Sequence, residues 1–371
     1  MKFICKVEKL SKAATAATKI INPKSTINIL SNILITTGDN VVTIQSTDLE
    51  TTYEKRVPAA IINEGSITVS GEVFAKYLRE LQGEDVAIDT SDIEGVAILC
   101  GTSRVELPVM SSELFPKMDD EALIVMRRMS GTTLSDAIDA VLFSAVDESN
   151  GRRCEFRGVS GMRLDISEND IRTTATDGYR LARHQGSVET EMHTVVLTVT
   201  GAKTIAKAIE KSPQITVSIV GKENNHLIVE DGSVRVSTRT ISMIYPDVER
   251  ILTTPGENII LVKCEDLRMA LKRSSLFSDP QSRGISIDVA GSVLAINVQS
   301  EKFGIGDESL EVDHTGKNIQ IAVKANYLGQ MLDKITSDKV KIAFGTEATP
   351  IHISGENEQS GNHFVLMPLR A

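Results

Sequence analysis

The sequence predicts an α+β protein of three similar domains, and two observations lead there. One is a strand–helix segment written three times, and the other is a set of hairpins and opening helices that recur at the same interval. The segment reads ITVSGEVFAKYLREL at 67–81, LTVTGAKTIAKAIEK at 197–211 and IAVKANYLGQMLDKI at 321–335. Each copy is a short β-type run, a small or polar capping position, and then a helix. Phe74, Leu78 and Leu81 form an apolar stripe of helical period in the first copy, matched by Leu328, Met331, Leu332 and Ile335 in the third. The second, one residue longer before its stripe, has Ile205, Ala208 and Ile209.

Phe74, Ile205 and Leu328 stand 131 and 123 positions apart, against a third of the chain of about 124. Turns at Gly38-Asp39-Asn40, Glu168-Asn169-Asp170 and Ala290-Gly291-Ser292 keep this period, each between alternating apolar runs. So do opening helices expected over 6–20, 133–146 and 265–277, the second with a stripe of Leu134, Ile138, Val141, Leu142 and Ala145. A period near 124 is the size of a domain, not of a solenoid unit. The expected domains are 1–120, 121–252 and 253–371, each with two helices and about eight strands. The polar, proline-bearing stretch 114–120 and Thr253-Thr254-Pro255-Gly256 supply the boundaries.

Composition is that of an ordinary globular chain, 41% hydrophobic and 24% charged. No apolar run of eighteen residues occurs and the N-terminal MKFICKVEKL lacks an apolar signal core, so a cytoplasmic location without membrane contact is expected. Cys5, Cys100, Cys154 and Cys264 form no CxxC pair and read as plain thiols of a reducing compartment. The net charge of −10 argues against nucleic acid at face value. Its distribution argues the other way: the six expected helices carry fourteen Lys and Arg against ten Asp and Glu, leaving about −14 elsewhere. Solvated helix faces explain a single basic helix equally well, and the opening helix of the middle copy is acidic. The repetition is what gives the pattern weight.

No catalytic constellation is present. Phosphate-loop, HExxH and GxSxG patterns are absent, and the six histidines never fall at metal-ligand spacing, so neither metal nor cofactor is expected. Asp177-Gly178 reads as a tight turn exposing Tyr179 and Arg180 rather than as a catalytic carboxylate. Single-stranded nucleic acid would need stacking platforms, yet the chain has no Trp and 4% aromatics. A duplex gripped through its phosphates needs only basic side chains. Six helices per chain, doubled in a homodimer and set side by side, would close a ring about 35 Å across between helix axes, wide enough for a duplex. Repeated domains close such rings head to tail with one kind of joint, helices inside.

ATDGYRLA at 175–182, YPD at 245–247 and VLMPLR at 365–370 resemble signatures of the bacterial β sliding clamp family, the processivity subunit of DNA polymerase III. SNILITTGDNVVTIQSTDLE at 31–50 is similar to that family's first hairpin, and the resemblance runs the length of the chain. It implies a non-catalytic accessory subunit: a head-to-tail homodimeric ring around duplex DNA, opened by an ATP-driven clamp loader. The polymerase III catalytic subunit and other replication and repair proteins would dock on it through short apolar peptides. The implied peptide pocket has one subsite of Thr176, Gly178, Tyr179, Arg180, Leu181, Pro246, Arg250 and Ile251 with Val159 as floor. The other subsite is Tyr327 with Val365, Leu366, Met367, Pro368, Leu369 and Arg370. Leu181, Ile251 and Leu369 would form apolar walls, with Arg180 and Arg250 at the rim. Core packing is the alternative for these apolar residues.

The resemblance also places Lys24, Arg152 and Arg153 against DNA, and Arg104, Val105 and Leu107 opposite Leu276 and Phe277 at the dimer joint. Three positions depart from the family pattern: Val105 where a larger aromatic is common, Tyr179 where His is, and Lys324 where Asn is. On the residues alone, a three-domain enzyme with a junctional site and a peptide-binding scaffold unrelated to DNA remain open. Turnover or a co-purifying cofactor would mark the first, and failure to stay on circular DNA the second.

Overall fold

The computed structural model describes the chain except residues 22–25, 92–93, 117–122, 147–159, 168–169, 186–191, 221–224, 279–283, 358–360 and 370–371. It is an α+β structure. Seven α-helices lie among the described residues: α1 Val7–Ala17, α2 Gly71–Glu80, α3 Gly131–Asp139, α4 Val199–Ile209, α5 Glu249–Leu252, α6 Cys264–Ser275 and α7 Ala325–Leu332. Six are the two helices expected in each copy, and α5 is a short extra one. The middle opening helix stops early, at Asp139, and continues as a 3-10 turn over Leu142–Ser144 rather than reaching 146. The chain falls into two compact units, Met1–Ser135 with Thr200–Ile241 and Asp136–Val199 with Ser242–Ala371.

In the first unit α1 buries Val7, Leu10, Ala13, Ala14 and Ala17, the i, i+3, i+7 pattern of one helix face. It packs on α2, whose buried stripe is Phe74, Ala75 and Leu78. The repeat's three anchor residues are all core: Phe74 and Ile205 are fully buried and Leu328 nearly so. The first hairpin joins Asn32–Gly38 to Val41–Thr47 through Asp39 and Asn40, both at positive φ (50° and 58°). That is the geometry that matches strand twist, and Asp and Asn tolerate it best after Gly. The third hairpin turns at Gly291 with φ 57°. Residues 168–169 of the second lie outside the described residues, but its strands Met162–Ile166 and Ile171–Thr176 pair in register as expected. A Cβ on Gly131, at the start of α3, would sit 2.1 Å from the Ile209 carbonyl oxygen, so only glycine allows that approach.

Strand order shows how successive copies connect. A thirteen-stranded sheet carries strands of the first copy straight into those of the middle one. Its junction is Thr51–Pro58, the strand after the first hairpin, antiparallel to Val234–Arg239, the last strand of the middle copy, with Thr51 opposite Thr238 and Lys55 opposite Val234. In the second unit a nine-stranded sheet repeats the arrangement. There Arg180–Gln185, after the middle hairpin, pairs antiparallel with Asn362–Leu366, the last strand of the third copy. Two strands of the same two kinds are left with an open edge. Gly304–Glu311, after the third hairpin, ends a four-stranded sheet and pairs only with Val293–Ser300 among the described residues. Residues 103–108, in the last strand of the first copy, have one partner strand, Gly95–Cys100, and no second among the described residues.

The charge segregation expected for the helices is weaker than the sequence suggested. Lys6, Lys19, Lys211, Lys324 and Lys334 flank the six helices instead of lying in them, and nine Lys and Arg face seven Asp and Glu inside. Lys12 pairs with Glu8 and Lys76 with Glu72 one turn away. Cys5, Cys100 and Cys264 are buried free thiols, and Cys154 lies outside the described residues. Among the described residues no helix is long and apolar enough to cross a membrane, and no acidic, His or Cys cluster is placed to hold a metal.

Truncating the anchor of the first repeat tests this core. Phe74→Ala should cost about 3–5 kcal/mol, read as a lower urea midpoint, whereas Val73→Ala on the exposed face of the same helix should change it little.

Candidate docking site

The residues singled out near 176–181 and 365–369 meet within the second unit, and a turn organises them. Ile171–Thr176 ends at a bend where Gly178 takes φ 86°, a conformation costly for any side-chain-bearing residue. The Asp177 carboxylate accepts the backbone N–H groups of Tyr179 and Arg180, both at 3.0 Å. The Thr176 hydroxyl donates to the Arg180 carbonyl at 2.7 Å and accepts from Gly178 at 3.1 Å. Asp177 is thus a turn-former, as its neighbour Gly178 suggested.

Arg180 differs from the rim cation expected. Only 10% of its side chain is exposed. Its Nε donates to Asp177 at 3.0 Å, and its terminal nitrogens reach the Phe143 carbonyl at 2.5 Å and the Gln330 side chain. The guanidinium lies 4.1 Å from the Tyr327 ring centroid and 5.3 Å from that of Phe143. Lys324 Nζ in turn sits 5.0 Å from the Tyr179 ring and 5.1 Å from Tyr327. Tyr179, Lys324, Tyr327, Arg180 and Phe143 therefore alternate aromatic and cationic groups, each cation attracted to the ring faces beside it. The departures at Tyr179 and Lys324 meet in this ladder.

The C-terminal segment is laced to the turn by its backbone. Leu366 pairs with Arg180 and Val365 with Leu181, Met367 N–H donates to the Tyr179 carbonyl at 2.9 Å, and Leu369 N–H to the Ala322 carbonyl at 2.7 Å. Leu181 and Val365 join Val248 and Leu252 in a buried cluster, and Thr176 and Leu366 are buried as well. Leu181, Val365, Thr176 and Leu366 supply the floor, where the sequence placed Leu181 in a wall. The accessible apolar groups are Tyr179, Ile251 and Met367, each close to 40% exposed, with Arg250 exposed and Pro246, Tyr327, Pro368 and Leu369 half-buried. Val159 and Arg370 lie outside the described residues, as do Lys24, Arg152 and Arg153.

Sequence reading missed what holds α5. Buried Arg183 bonds both Glu249 oxygens at 2.8 and 2.7 Å, with Arg172 at 3.8 Å. The hydrogen bond from Arg183 keeps the Glu249 carboxyl below the usual carboxylate range against the opposing effect of burial. This pairing sets the helix that carries Arg250 and Ile251. No motif announces it, since Arg183 and Glu249 are 66 residues apart. Beside it, His352 and His363 share a ring-nitrogen contact of 3.0 Å, and burial, with His352 and Arg183 adding, pushes His363 down to about 4.

Of the residues expected at the dimer joint, Arg104 is exposed on the open-edged strand, and Val105 and Leu107 are half-buried. Leu276, 72% exposed, and Phe277, 39% exposed, follow the end of α6. Arg273 on α6 makes two 2.6 Å bonds to Glu308 on the open-edged strand of the four-stranded sheet.

This fold and site define a class of multi-copy α+β repeat proteins whose successive copies join strand to strand, and comparison with known proteins places the chain within it. Residues 1–119 match the N-terminal domain of the DNA polymerase III beta subunit, residues 128–247 its central domain and residues 249–370 its C-terminal domain. The chain belongs to the DNA polymerase III beta subunit family. It is similar to the beta sliding clamp of Proteus mirabilis, 24% identical over the full length of both. Among solved structures it resembles the DNA polymerase III beta subunit of Thermotoga maritima (TM-score 0.90, 23% identity, 100% of this chain and 99% of that one). It likewise resembles a sliding clamp of Pseudomonas aeruginosa bound to griselimycin (TM-score 0.90, 22% identity, all of both chains).

The neutral His363 predicts an acid-labile unit. The unfolded chain binds this proton near pH 6.5 and the folded one only near 4, so stability should fall as pH drops through that window. His363→Gln should flatten this part of the pH profile in thermal melts.

Proposed function

We propose that the chain is a sliding clamp: a DNA polymerase processivity factor that encircles duplex DNA without reading sequence and tethers replication and repair proteins. It is a non-catalytic accessory subunit. Its three domains, 1–120, 121–252 and 253–371, close with those of a second copy into a head-to-tail ring whose helices face the duplex. One observation carries this reading. Two copy-to-copy joints use the strand after a hairpin against the last strand of the following copy, and the same two kinds of strand, Gly304–Glu311 and residues 103–108, are left open. A second chain completes the series by pairing its residues 103–108 with Gly304–Glu311, and the first chain's open edge is met in the same way. An open edge is otherwise a liability that folds avoid, and identical joints close a ring. Leu276 and Phe277 would pack beside Arg104, Val105 and Leu107 at that joint.

The duplex is held through its phosphates by Lys and Arg of the helices, together with Lys24, Arg152 and Arg153. Threading makes tight adhesion unnecessary. The clamp loader opens a joint, and the polymerase III catalytic subunit docks an apolar peptide on Tyr179, Ile251 and Met367 over the floor of Leu181 and Val365. Arg180 shapes the pocket from beneath through Tyr327 instead of meeting the peptide at the rim. The protein works in the cytoplasm, where the chromosome of a bacterium lies.

Light scattering should give twice the chain mass, and Leu276→Asp should give the mass of one chain. The wild type should stay on closed circular DNA and leave when the circle is cut. Escape from intact circles would falsify the ring. Deleting Met367–Ala371 should abolish binding of a polymerase-derived peptide while the dimer persists; monomers from that deletion would count against the pocket.

A further inference from the structure

Lys324 stands where the strand Ile319–Lys324 gives way to α7, and the docking of an apolar peptide makes no use of its charge. Its ammonium lies 5.0 Å from the Tyr179 ring centroid and 5.1 Å from that of Tyr327. The Arg180 guanidinium lies 4.1 Å from the same Tyr327 ring. Two cations therefore share one aromatic side chain. Arg180 has a carboxylate of its own, since its Nε donates to Asp177 at 3.0 Å. Among the described residues Lys324 meets rings, and no carboxylate lies within ion-pair distance of it.

A ring face attracts a cation without cancelling its charge, and the ammonium keeps hydrogen-bond donors to give. Its position adds to the excess. A helix N-terminus is the positive end of the dipole, which favours anions and disfavours cations. α1, α2 and α6 each answer that end with a glutamate in the first turn, Glu8, Glu72 and Glu265. α7 has no acid in its first turn, and Lys324 precedes it.

The acids around the site are committed elsewhere. Asp177 accepts the N–H groups of Tyr179 and Arg180, and Glu249 is held by Arg183. Asp247 caps α5 by accepting the Glu249 N–H at 3.0 Å. The formal charge of −10 repels an acidic peptide from the chain in general. Half-buried Lys324, with Arg250 exposed on α5, sets the local sign the other way.

We infer that Lys324 is a specificity-determining residue of the docking site, selecting partner peptides that carry a carboxylate beside their apolar residues. An aspartate or glutamate seated over Tyr179 and Tyr327 accepts from the ammonium in a charge-assisted hydrogen bond and relieves the repulsion between Lys324 and Arg180. Half-burial of Lys324 strengthens that bond over one at an open surface. The preference rests on the peptide-docking role of the site, and it can fail while that role stands.

Calorimetry on the full-length chain reads the preference directly. The probes are a polymerase-derived peptide with an aspartate placed before, among or after its apolar residues, and the asparagine twin of each. For at least one pair the wild type should bind the aspartate form about tenfold more tightly, the size of one hydrogen bond to a charged group. Lys324→Gln should bring that pair to equal affinity, Lys324→Arg should keep the preference, and Lys324→Glu should reverse it. If Lys324 merely props the two rings, Lys324→Gln weakens both twins alike and the ratio persists, which overturns the inference. Equal binding of every pair by the wild type overturns it too and leaves the docking role intact. Binding of no peptide at all removes the docking role and the preference together.

Discussion

Backbone pairing between the edge strands of successive copies is the interaction on which the rest of the structure depends. At Thr51–Pro58 against Val234–Arg239, and again at Arg180–Gln185 against Asn362–Leu366, the sheet of one copy continues into the next without a break. Each bond satisfies a donor and an acceptor that would otherwise sit at an exposed edge. Side chains then follow the register. Thr51 meets Thr238 in a buried hydroxyl contact of 3.1 Å at one joint, and Leu181 pairs with Val365 beneath the candidate docking site at the other. The candidate docking site is therefore built on a joint, its floor supplied by the paired strands.

That origin explains how labour is divided among the site's residues. The strands fix Leu181, Val365 and Leu366 as floor, because pairing and burial leave them no freedom. Elements that hang off the strands present the accessible groups: the Asp177 turn holds Tyr179, and α5 holds Ile251. A helix of four residues has no stability of its own. Here it is pinned by Glu249 on Arg183 and by Val248 and Leu252 in the buried cluster. Arg180, sandwiched between Tyr327 and Phe143, ties the turn to α7 through Gln330 and is a strut of the site.

Charge follows a similar logic. Lys12 and Lys76 are each neutralised locally by a glutamate one turn away, so a helix-by-helix count overstates the field the helices produce. Lys19, Lys55, Lys203 and Lys207 line one cleft of the first unit, where α4, the end of α1 and a strand come together. Such a cluster is invisible to a net charge of −10 and to the charge of any one segment.

The sequence by itself determined the threefold repeat, the strand–helix segments, two of the hairpin turns and the turn role of Asp177. All of these are local: they follow from hydrophobic period, from the φ preferences of Asp, Asn and Gly, and from capping, which act within about ten residues. Only the tertiary structure decided that Leu181 is floor, that Arg180 is an internal strut, that Arg183 and Glu249 hold α5, and that lysines of three elements share one cleft. Each of those depends on partners brought together by strand pairing from distant parts of the chain. Apolar period tells a residue that it will be buried; the register of the joint tells it against what.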